Sequence, residues 1–236
     1  STRKESSAAS DVYKRQTWSE SDTHYATNDV LGINSEYIWH KDQSLNNTDI
    51  IILPGGFSYG DYLRTGAIAS FSPIMEKIIT FANSGGVVIG ICNGFQILCE
   101  SNLLPGVLMR NNSLSFVCEN SYLKVNNDSL FTNQYNQNEI IRIPISHGEG
   151  NFQADKKIID EIEEQNRVIF RYSSKTGETN LDHNPNGSIN NIAGITNKQG
   201  NVLGLMPHPE KACEKLIGSD DGLGIFKSIM TNSIKK

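Results

Sequence analysis

The chain has 236 residues, a formal net charge of −5, 37% hydrophobic and 20% charged residues. This composition is typical of a folded globular protein, and the length suits one α/β domain. No dense stretch of lysine and arginine is present, which argues against binding to nucleic acid or to an anionic membrane. No apolar run approaches the roughly 20 residues that span a bilayer, and a signal peptide is not evident. We therefore expect a cytoplasmic protein that acts on small molecules.

The polar segment 1–22 contains no run able to form a buried strand. It predicts a disordered or non-native tail at 1–22, followed by a single domain at 23–236.

After the tail, short apolar runs alternate with helical patterns. The predicted strands cover residues 37–39, 50–53, 87–91, 140–145, 168–172, 192–196 and 202–206, and predicted helices cover 73–82 and 153–164. Runs that are apolar at every position indicate strands buried on both faces. The prediction is an α/β three-layer sandwich with a mainly parallel central sheet. Alternating residues and Asn-rich turns at 107–125 predict an antiparallel hairpin region.

Four cysteines are spread without a Cys-x-x-Cys pair or zinc-type spacing, at Cys92, Cys99, Cys118 and Cys213. In a reducing compartment they are expected to be free thiols, with no metal bound. Cys92 stands out because Gly90-Ile-Cys-Asn-Gly94 joins a predicted strand to a helical pattern. The glycines permit a sharp turn that presents Cys92 at a helix N-terminus, where a thiolate is favoured. This predicts a nucleophile; the alternative is a buried structural cysteine packed beside glycines.

A nucleophile of this kind needs a base and hydrogen-bond donors for an oxyanion. His208 and Glu210 follow the predicted strand 202–206, so His208 is the candidate base and Glu210 the group that orients it. The Pro-Gly-Gly segment after strand 50–53 can turn backbone N–H groups towards a ligand. Gly56 and Asn93 are the candidate donors. A simple Pro-Gly turn is the alternative for Gly56.

Together, the Pro-Gly-Gly, Gly-x-Cys-x-Gly-x-Gln and His-Pro-Glu motifs resemble the class I, triad-type glutamine amidotransferases, which have a flavodoxin-like fold. The longer strings at 54–64, 90–96, 147–152 and 206–210 look like those of the family of glutaminase subunits of phosphoribosylformylglycinamidine synthase. This resemblance covers roughly residues 23–232.

The resemblance implies that Cys92 attacks the carboxamide of glutamine, that His208 passes a proton to the departing ammonia, and that Glu210 orients His208. It also implies a set of substrate-binding residues, namely Gly55, Gln96, Ser146, His147 and Gly148. For His147 and Glu149, a polar loop that orders its own backbone is an equally open interpretation.

The resemblance further implies that ammonia passes to a separate synthetase subunit, which works with a small accessory subunit. That synthetase would use ATP and Mg²⁺, and this chain would carry no cofactor. The absence of a Gly-x-x-x-x-Gly-Lys-Ser/Thr phosphate loop from the sequence agrees with ATP being bound elsewhere. Low glutaminase activity is expected until the partner docks.

The N-terminus departs from the family pattern. Relatives begin with a hydrophobic strand and a Pro-Gly-Ser-Asn-Cys-Asp turn, whereas residues 1–21 stand there in this chain, and 8–16 resembles translated adaptor sequence. We therefore expect the first strand to be missing, a sheet edge to be unpaired, and the chain to fold poorly.

Two other function classes remain open at the level of sequence. A cysteine peptidase or chaperone-like protein can share the elbow at Cys92, but such relatives tend to place a histidine where Asn93 stands. A non-catalytic scaffold can keep the fold, but its triad would be degraded.

Overall fold

The structure is a computed structural model that describes residues 5–6, 19–45, 48–58 and 64–233. Its strands are β1 (Glu5–Ser6), β2 (Tyr37–Ile38), β3 (Ile50–Leu53), β4 (Val87–Ile91), β5 (Val107–Met109), β6 (Val117–Val125), β7 (Ile140–His147), β8 (Asn151–Gln153), β9 (Val168–Ser173), β10 (Ile192–Thr196) and β11 (Val202–Leu205). Its α-helices are α1 (Ser19–His24), α2 (Pro73–Asn83), α3 (Asn93–Glu100), α4 (Lys156–Glu164) and α5 (Leu223–Ser233). A π-helical segment, Tyr25–Val30, continues α1.

Seven strands form the central sheet, in the order β3-β4-β11-β10-β9-β6-β7. The α/β class is confirmed, but the prediction of a mainly parallel sheet is wrong: β4 pairs parallel with β3 and β11, and the other four pairs are antiparallel. Parallel neighbours need a crossover, as α2 provides between β3 and β4. By contrast, β10 and β11 are joined by the short turn 197–201, which reverses the chain.

The middle of the sheet is the centre of the core. Nearly every residue of β4, β10 and β11 is buried. Successive residues of a strand point to opposite faces, so both faces of this part of the sheet are covered. This agrees with the three-layer arrangement. Towards the other edge, β7 alternates between buried and half-buried residues, as expected of a strand with one more exposed face.

Helix α2 shows how the pattern of apolar residues sets the layers. Pro73 occupies its first turn, where a missing N–H has no cost, and Ile74, Ile78 and Ala82 form one buried stripe. The predicted helix at 73–82 is thereby confirmed. Helix α4 begins at Lys156, later than predicted, because the residues up to Gln153 form β8. No helix in the described ranges is both long and apolar enough to cross a membrane.

The hairpin predicted at 107–125 is wrong in its pairing. The segment does form two strands, but β5 pairs antiparallel with β8, and β6 pairs with β7 and β9. Alternation identifies a half-buried strand, but it does not encode which strand lies beside it. The separation of β5 from β6 matters for the site, because the segment between them becomes one wall of a cavity.

The boundary predicted between residues 22 and 23 falls inside α1, so the ordered domain begins earlier than expected. Ser19 is buried, and its carbonyl accepts a hydrogen bond from the Thr23 hydroxyl at 2.7 Å. Asp22 lies 3.4 Å from the ammonium of Lys211. The polar composition of the segment concealed these tertiary contacts, which sequence periodicity does not report.

The start of the chain is described only at Glu5–Ser6, and residues 1–4 and 7–18 lie outside the described residues. β1 pairs parallel with β2 in a separate two-stranded sheet. Among the described strands, β3 is the last of the central sheet on its side. The expected weak folding of the chain stays a prediction.

The contact between α3 and β3 leads to a stability prediction. A Cβ at Gly94 would lie 2.0 Å from the carbonyl oxygen of Leu53. Gly94→Ala should therefore lower the free energy of unfolding by about 3 kcal/mol, more than the ~1 kcal/mol that alanine gains over glycine in a helix. Urea denaturation would measure this. In the control Gly148→Ala, the added Cβ meets only Phe116, at 3.7 Å, so stability should stay near the parent value. An unchanged midpoint for Gly94→Ala would contradict the close approach.

Candidate active site

Cys92 lies at the turn between β4 and α3 and has a strained backbone. Its φ is 50° and its ψ is −104°, a region that residues with a side chain rarely adopt. The Cys92 N–H donates to the carbonyl of Leu205 at 2.8 Å, which ties the turn to β11. A Cβ at Gly90 would lie 2.6 Å from the Gly94 backbone, so only glycine allows the turn to close this tightly. The predicted elbow is therefore present.

His208 and Glu210 lie just beyond the end of β11. The His208 N–H donates to the carbonyl of Pro144 at 2.8 Å, and a 3₁₀ turn at Pro209–Lys211 brings Glu210 back beside the ring. The His208 Nδ1 atom lies 2.5 Å from Glu210 Oε1, and both side chains are buried. This short contact assigns the proton to Nδ1 and leaves Nε2 available for chemistry. Nε2 is buried and has no hydrogen-bond partner among the described residues.

The charge state of His208 follows from its neighbours. Burial alone would lower the pKa of the ring, but the negative charges of Glu210 and of a Cys92 thiolate outweigh it and raise the pKa to about 10. The imidazolium is therefore favoured near neutral pH while both partners are charged. A protonated His208 beside a thiolate is the arrangement that activates a cysteine nucleophile.

Gly55 brings the pieces of the site together. A Cβ at this position would lie 2.8 Å from His208 Cε1 and 3.4 Å from Cys92 Cβ. The backbone of the segment after β3 therefore passes directly against both residues. Gly56, the next residue, has a φ of 157°, within the range that favours glycine. It lines the same cavity as Cys92, while Asn93 begins α3, whose first N–H groups have no partner within the helix.

A cavity of about 530 Å³ opens in front of Cys92. Half of its lining comes from two loops, one between β5 and β6 and the other from the end of β7 towards β8. The lining residues are Ser19, Gly56, Phe57, Thr65, Cys92, Gln96, Arg110, Leu114, Ser115, Phe116, Ser146, His147, Gly148, Glu149, His208 and Lys211. The size is sufficient for an amino-acid substrate.

Gln96 is held by protein groups at both ends of its amide. Its Nε2 donates to the carbonyl of Glu149 at 2.7 Å, and its Oε1 accepts from Asn93 Nδ2 at 2.8 Å. Gln96 therefore connects the helix that carries Cys92 to the loop of Glu149. Glu149 also accepts from the Thr65 hydroxyl and lies 3.5 Å from Arg110 Nε.

The predicted segment Ser146, His147 and Gly148 does lie at the cavity, and the Ser146 carbonyl is 3.7 Å from Cys92 Sγ. The ring of His147, however, is buried between two asparagines. Its Nδ1 lies 3.2 Å from Asn111 Oδ1, and its Nε2 lies 3.5 Å from Asn186 Nδ2. Burial, together with the charge of His208, lowers the pKa of His147 to about 4. The ring is thus neutral and orders the loop, as the second interpretation of this residue had it.

Several cavity residues carry no signal that sequence analysis used, namely Ser19, Thr65, Arg110, Phe116 and Lys211. Ser19 belongs to the segment interpreted as a tail. The others lie in loops with no motif of their own, and only folding brings them to the cavity. Arg110 and Lys211 add positive charge at its mouth, which suits the carboxylate of an amino acid.

The fold and site define a class. A cysteine on a strand-to-helix elbow, beside a buried His–Glu pair and a Gly-Gly turn, is the arrangement of a class I glutamine amidotransferase. The sequence profile of the CobB/CobQ-like glutamine amidotransferase domain matches residues 18–221. This chain belongs to that glutamine amidotransferase family.

Relatives define the family more narrowly. The chain is 54% identical over 212 residues to phosphoribosylformylglycinamidine synthase subunit PurQ of Moorella thermoacetica, covering 89% of this chain and 90% of that protein. It is 51% identical to the same subunit of Salinibacter ruber, with the same coverage. A chain in the structure of PurLQS from Thermotoga maritima is 40% identical and covers 98% of this chain and 99% of its own, with a TM-score of 0.82. A glutamine amidotransferase from Thermotoga maritima, at 13% identity and a TM-score of 0.59, shares the fold.

The charge of Glu210 can be tested directly. Glu210→Gln removes the strongest influence that raises the pKa of His208, so burial should then leave the ring neutral near pH 7. Thiolate formation would lose its counter-charge. The half-maximal rate of Cys92 alkylation by iodoacetamide should move to higher pH, and glutaminase turnover should fall on the order of 10³-fold or more, as when the acid of another triad is neutralised.

Mass spectrometry of the Cys92 peptide follows the alkylation and separates it from the exposed Cys118. The matched control is Glu161→Gln, which removes a carboxylate that pairs with Lys198 outside the cavity. An unshifted pH profile in Glu210→Gln would contradict the role of Glu210.

Proposed function

We infer that the chain is the glutaminase subunit of phosphoribosylformylglycinamidine synthase, an ATP-dependent enzyme of purine biosynthesis. The observation that carries this inference is the similarity to the PurQ subunits, at 51–54% identity over about nine-tenths of both chains. The match is long enough to include every residue of the site described above.

We propose that the reaction begins with attack of the Cys92 thiolate on the carboxamide carbon of glutamine. The tetrahedral oxyanion would receive hydrogen bonds from the N–H groups of Gly56 and Asn93. His208 would donate its proton to the amide nitrogen, so that the C–N bond breaks and ammonia leaves a glutamyl thioester on Cys92. Support comes from the contact of Gly55 with both Cys92 and His208.

Water would then hydrolyse the thioester. His208, now neutral, would take a proton from the attacking water, and Cys92 would leave with the electrons of the C–S bond as glutamate is released. Glu210 would hold the His208 ring in the same orientation through both steps. The buried contact of 2.5 Å between Nδ1 and Oε1 supports this role, because neither group can turn towards solvent.

Ammonia would pass to the synthetase subunit, which would convert formylglycinamide ribonucleotide into formylglycinamidine ribonucleotide. ATP and Mg²⁺ would be bound by that partner, and a small accessory subunit would complete the assembly. The PurLQS structure, with a chain that matches this one over its full length, supports such an assembly. The family membership favours this reaction over peptidase chemistry.

An apolar lip at the mouth of the cavity suits such a partner. Phe57 and Phe116 are exposed and their ring centroids are 6.3 Å apart, and Leu114 is 79% exposed. Leu114 also has a φ of 55°, a strained conformation for a residue with a side chain. Exposed apolar side chains around a site commonly mark a protein interface. We propose that the synthetase docks on this lip, so that ammonia leaves the cavity without entering bulk water.

The activity is tested by measuring glutamate release from glutamine. Cys92→Ala should reduce it by a factor on the order of 10³ or more, because no other group can form the thioester. The rate of the parent chain should rise when synthetase subunits, acceptor ribonucleotide and ATP are added. Cys118→Ala, which removes an exposed thiol outside the cavity, is the control and should retain activity. Full activity in Cys92→Ala would contradict the mechanism.

The docking surface is tested by charge. Leu114→Asp should weaken binding to the synthetase subunit about tenfold or more, because a carboxylate would be buried in an apolar contact. Titration calorimetry measures the affinity, and thermal unfolding checks that the fold is intact. Leu216→Asp is the control, since Leu216 is 95% exposed and does not line the cavity. Equal affinities for the two variants would contradict docking on the lip.

A further inference from the structure

Asn111 is buried below the cavity and does not line it. It belongs to none of the motifs that identify the family. Its side chain nevertheless makes the maximum number of hydrogen bonds that an amide allows. The Nδ2 atom donates to the carbonyls of Ser115 and His147, each at 2.9 Å. The Oδ1 atom accepts from the Gly150 N–H at 3.0 Å and lies 3.2 Å from His147 Nδ1.

These contacts join the two loops that form the cavity wall. The first loop, residues 110–116, contains Asn111 itself, and the second is residues 146–150. The Asn111 backbone adds to the connection, since its N–H donates to the carbonyl of Gly148 at 2.9 Å and its carbonyl accepts from Leu114 at 2.8 Å. One residue thus fixes the spacing of two loops that supply eight of the sixteen cavity-lining residues.

The second loop is also fixed relative to the nucleophile. Gln96, on the helix that begins after Cys92, donates to the carbonyl of Glu149. The path from Cys92 through Gln96 and Glu149 to Asn111 therefore consists of helix geometry and direct hydrogen bonds. A wall held in this way can set where the amino-acid end of a substrate lies when its carboxamide meets Cys92.

We propose that Asn111 is a positioning residue that holds the glutamine-binding wall in register with Cys92. The proposal rests on the proposed function, because it takes glutamine as the substrate. It assigns Asn111 to substrate affinity and leaves activation of Cys92 to His208 and Glu210. Aspartate cannot replace the amide, because both Nδ2 donors would be lost and a carboxylate would face the carbonyls of Ser115 and His147.

The test compares two reagents that modify Cys92, in the complex with the synthetase subunits. The first is 6-diazo-5-oxonorleucine, a glutamine-shaped electrophile that must fit the wall. The second is iodoacetamide, which needs only a reactive thiolate. In Asn111→Ser, the rate with the glutamine-shaped reagent should fall about tenfold or more, since several buried hydrogen bonds are lost, while the iodoacetamide rate should stay within about twofold. The KM for glutamine should rise more than kcat falls.

Asn111→Asp is measured alongside and should show the same selective loss; it decides the question if Asn111→Ser does not fold. Asn112→Ser is the control, because its neighbouring amide is exposed and accepts a hydrogen bond only from Asn151 among the described contacts. Equal losses with both reagents, or no loss with either, would overturn the proposal. Failure of the glutamine-shaped reagent to label the parent chain would instead overturn glutamine as the substrate, and this proposal with it.

Discussion

The close approach of the first turn of α3 to the end of β3 is the constraint on which the site depends. Gly94 lies so near the Leu53 carbonyl that no side chain fits between them. This approach forces Cys92 into its strained φ of 50° and presents its sulfur at the carboxyl edge of the sheet. The strain is stable because Cys92 is also tied to Leu205 on the neighbouring strand. Nucleophile, elbow and sheet are thus one rigid unit.

The mixed character of the sheet gives the site its second half. The parallel strands β3, β4 and β11 bring Gly55, Cys92 and His208 to one edge, because the carboxyl ends of parallel strands lie together. The antiparallel strands add the wall opposite, through the end of β7 and the segment between β5 and β6. The catalytic groups are therefore held by the core, and the substrate wall is held by a network of asparagine side chains between loops.

Sequence reasoning reached the triad because motif residues lie next to apolar strands. The strands at 50–53, 87–91 and 202–206 could be read from uninterrupted apolar runs, and the glycines around Cys92 indicated the turn. It did not reach Ser19, Arg110 or Asn111. Their positions depend on which strands pair and on where loops fold back, and neither property is encoded within a short window of sequence. The pairing predicted for 107–125 failed for the same reason.

The sequence by itself determined the α/β class, the elbow at Cys92, the identity of its base and acid, and the family to which these motifs belong. Local patterns suffice for these because strands, turns and helix starts follow from neighbouring residues. Only the tertiary structure decided that the sheet is mixed, that α1 packs at the cavity, and that His147 is buried and neutral. These depend on contacts between segments far apart in the chain, whose energies come from burial and from hydrogen bonds that form only after folding.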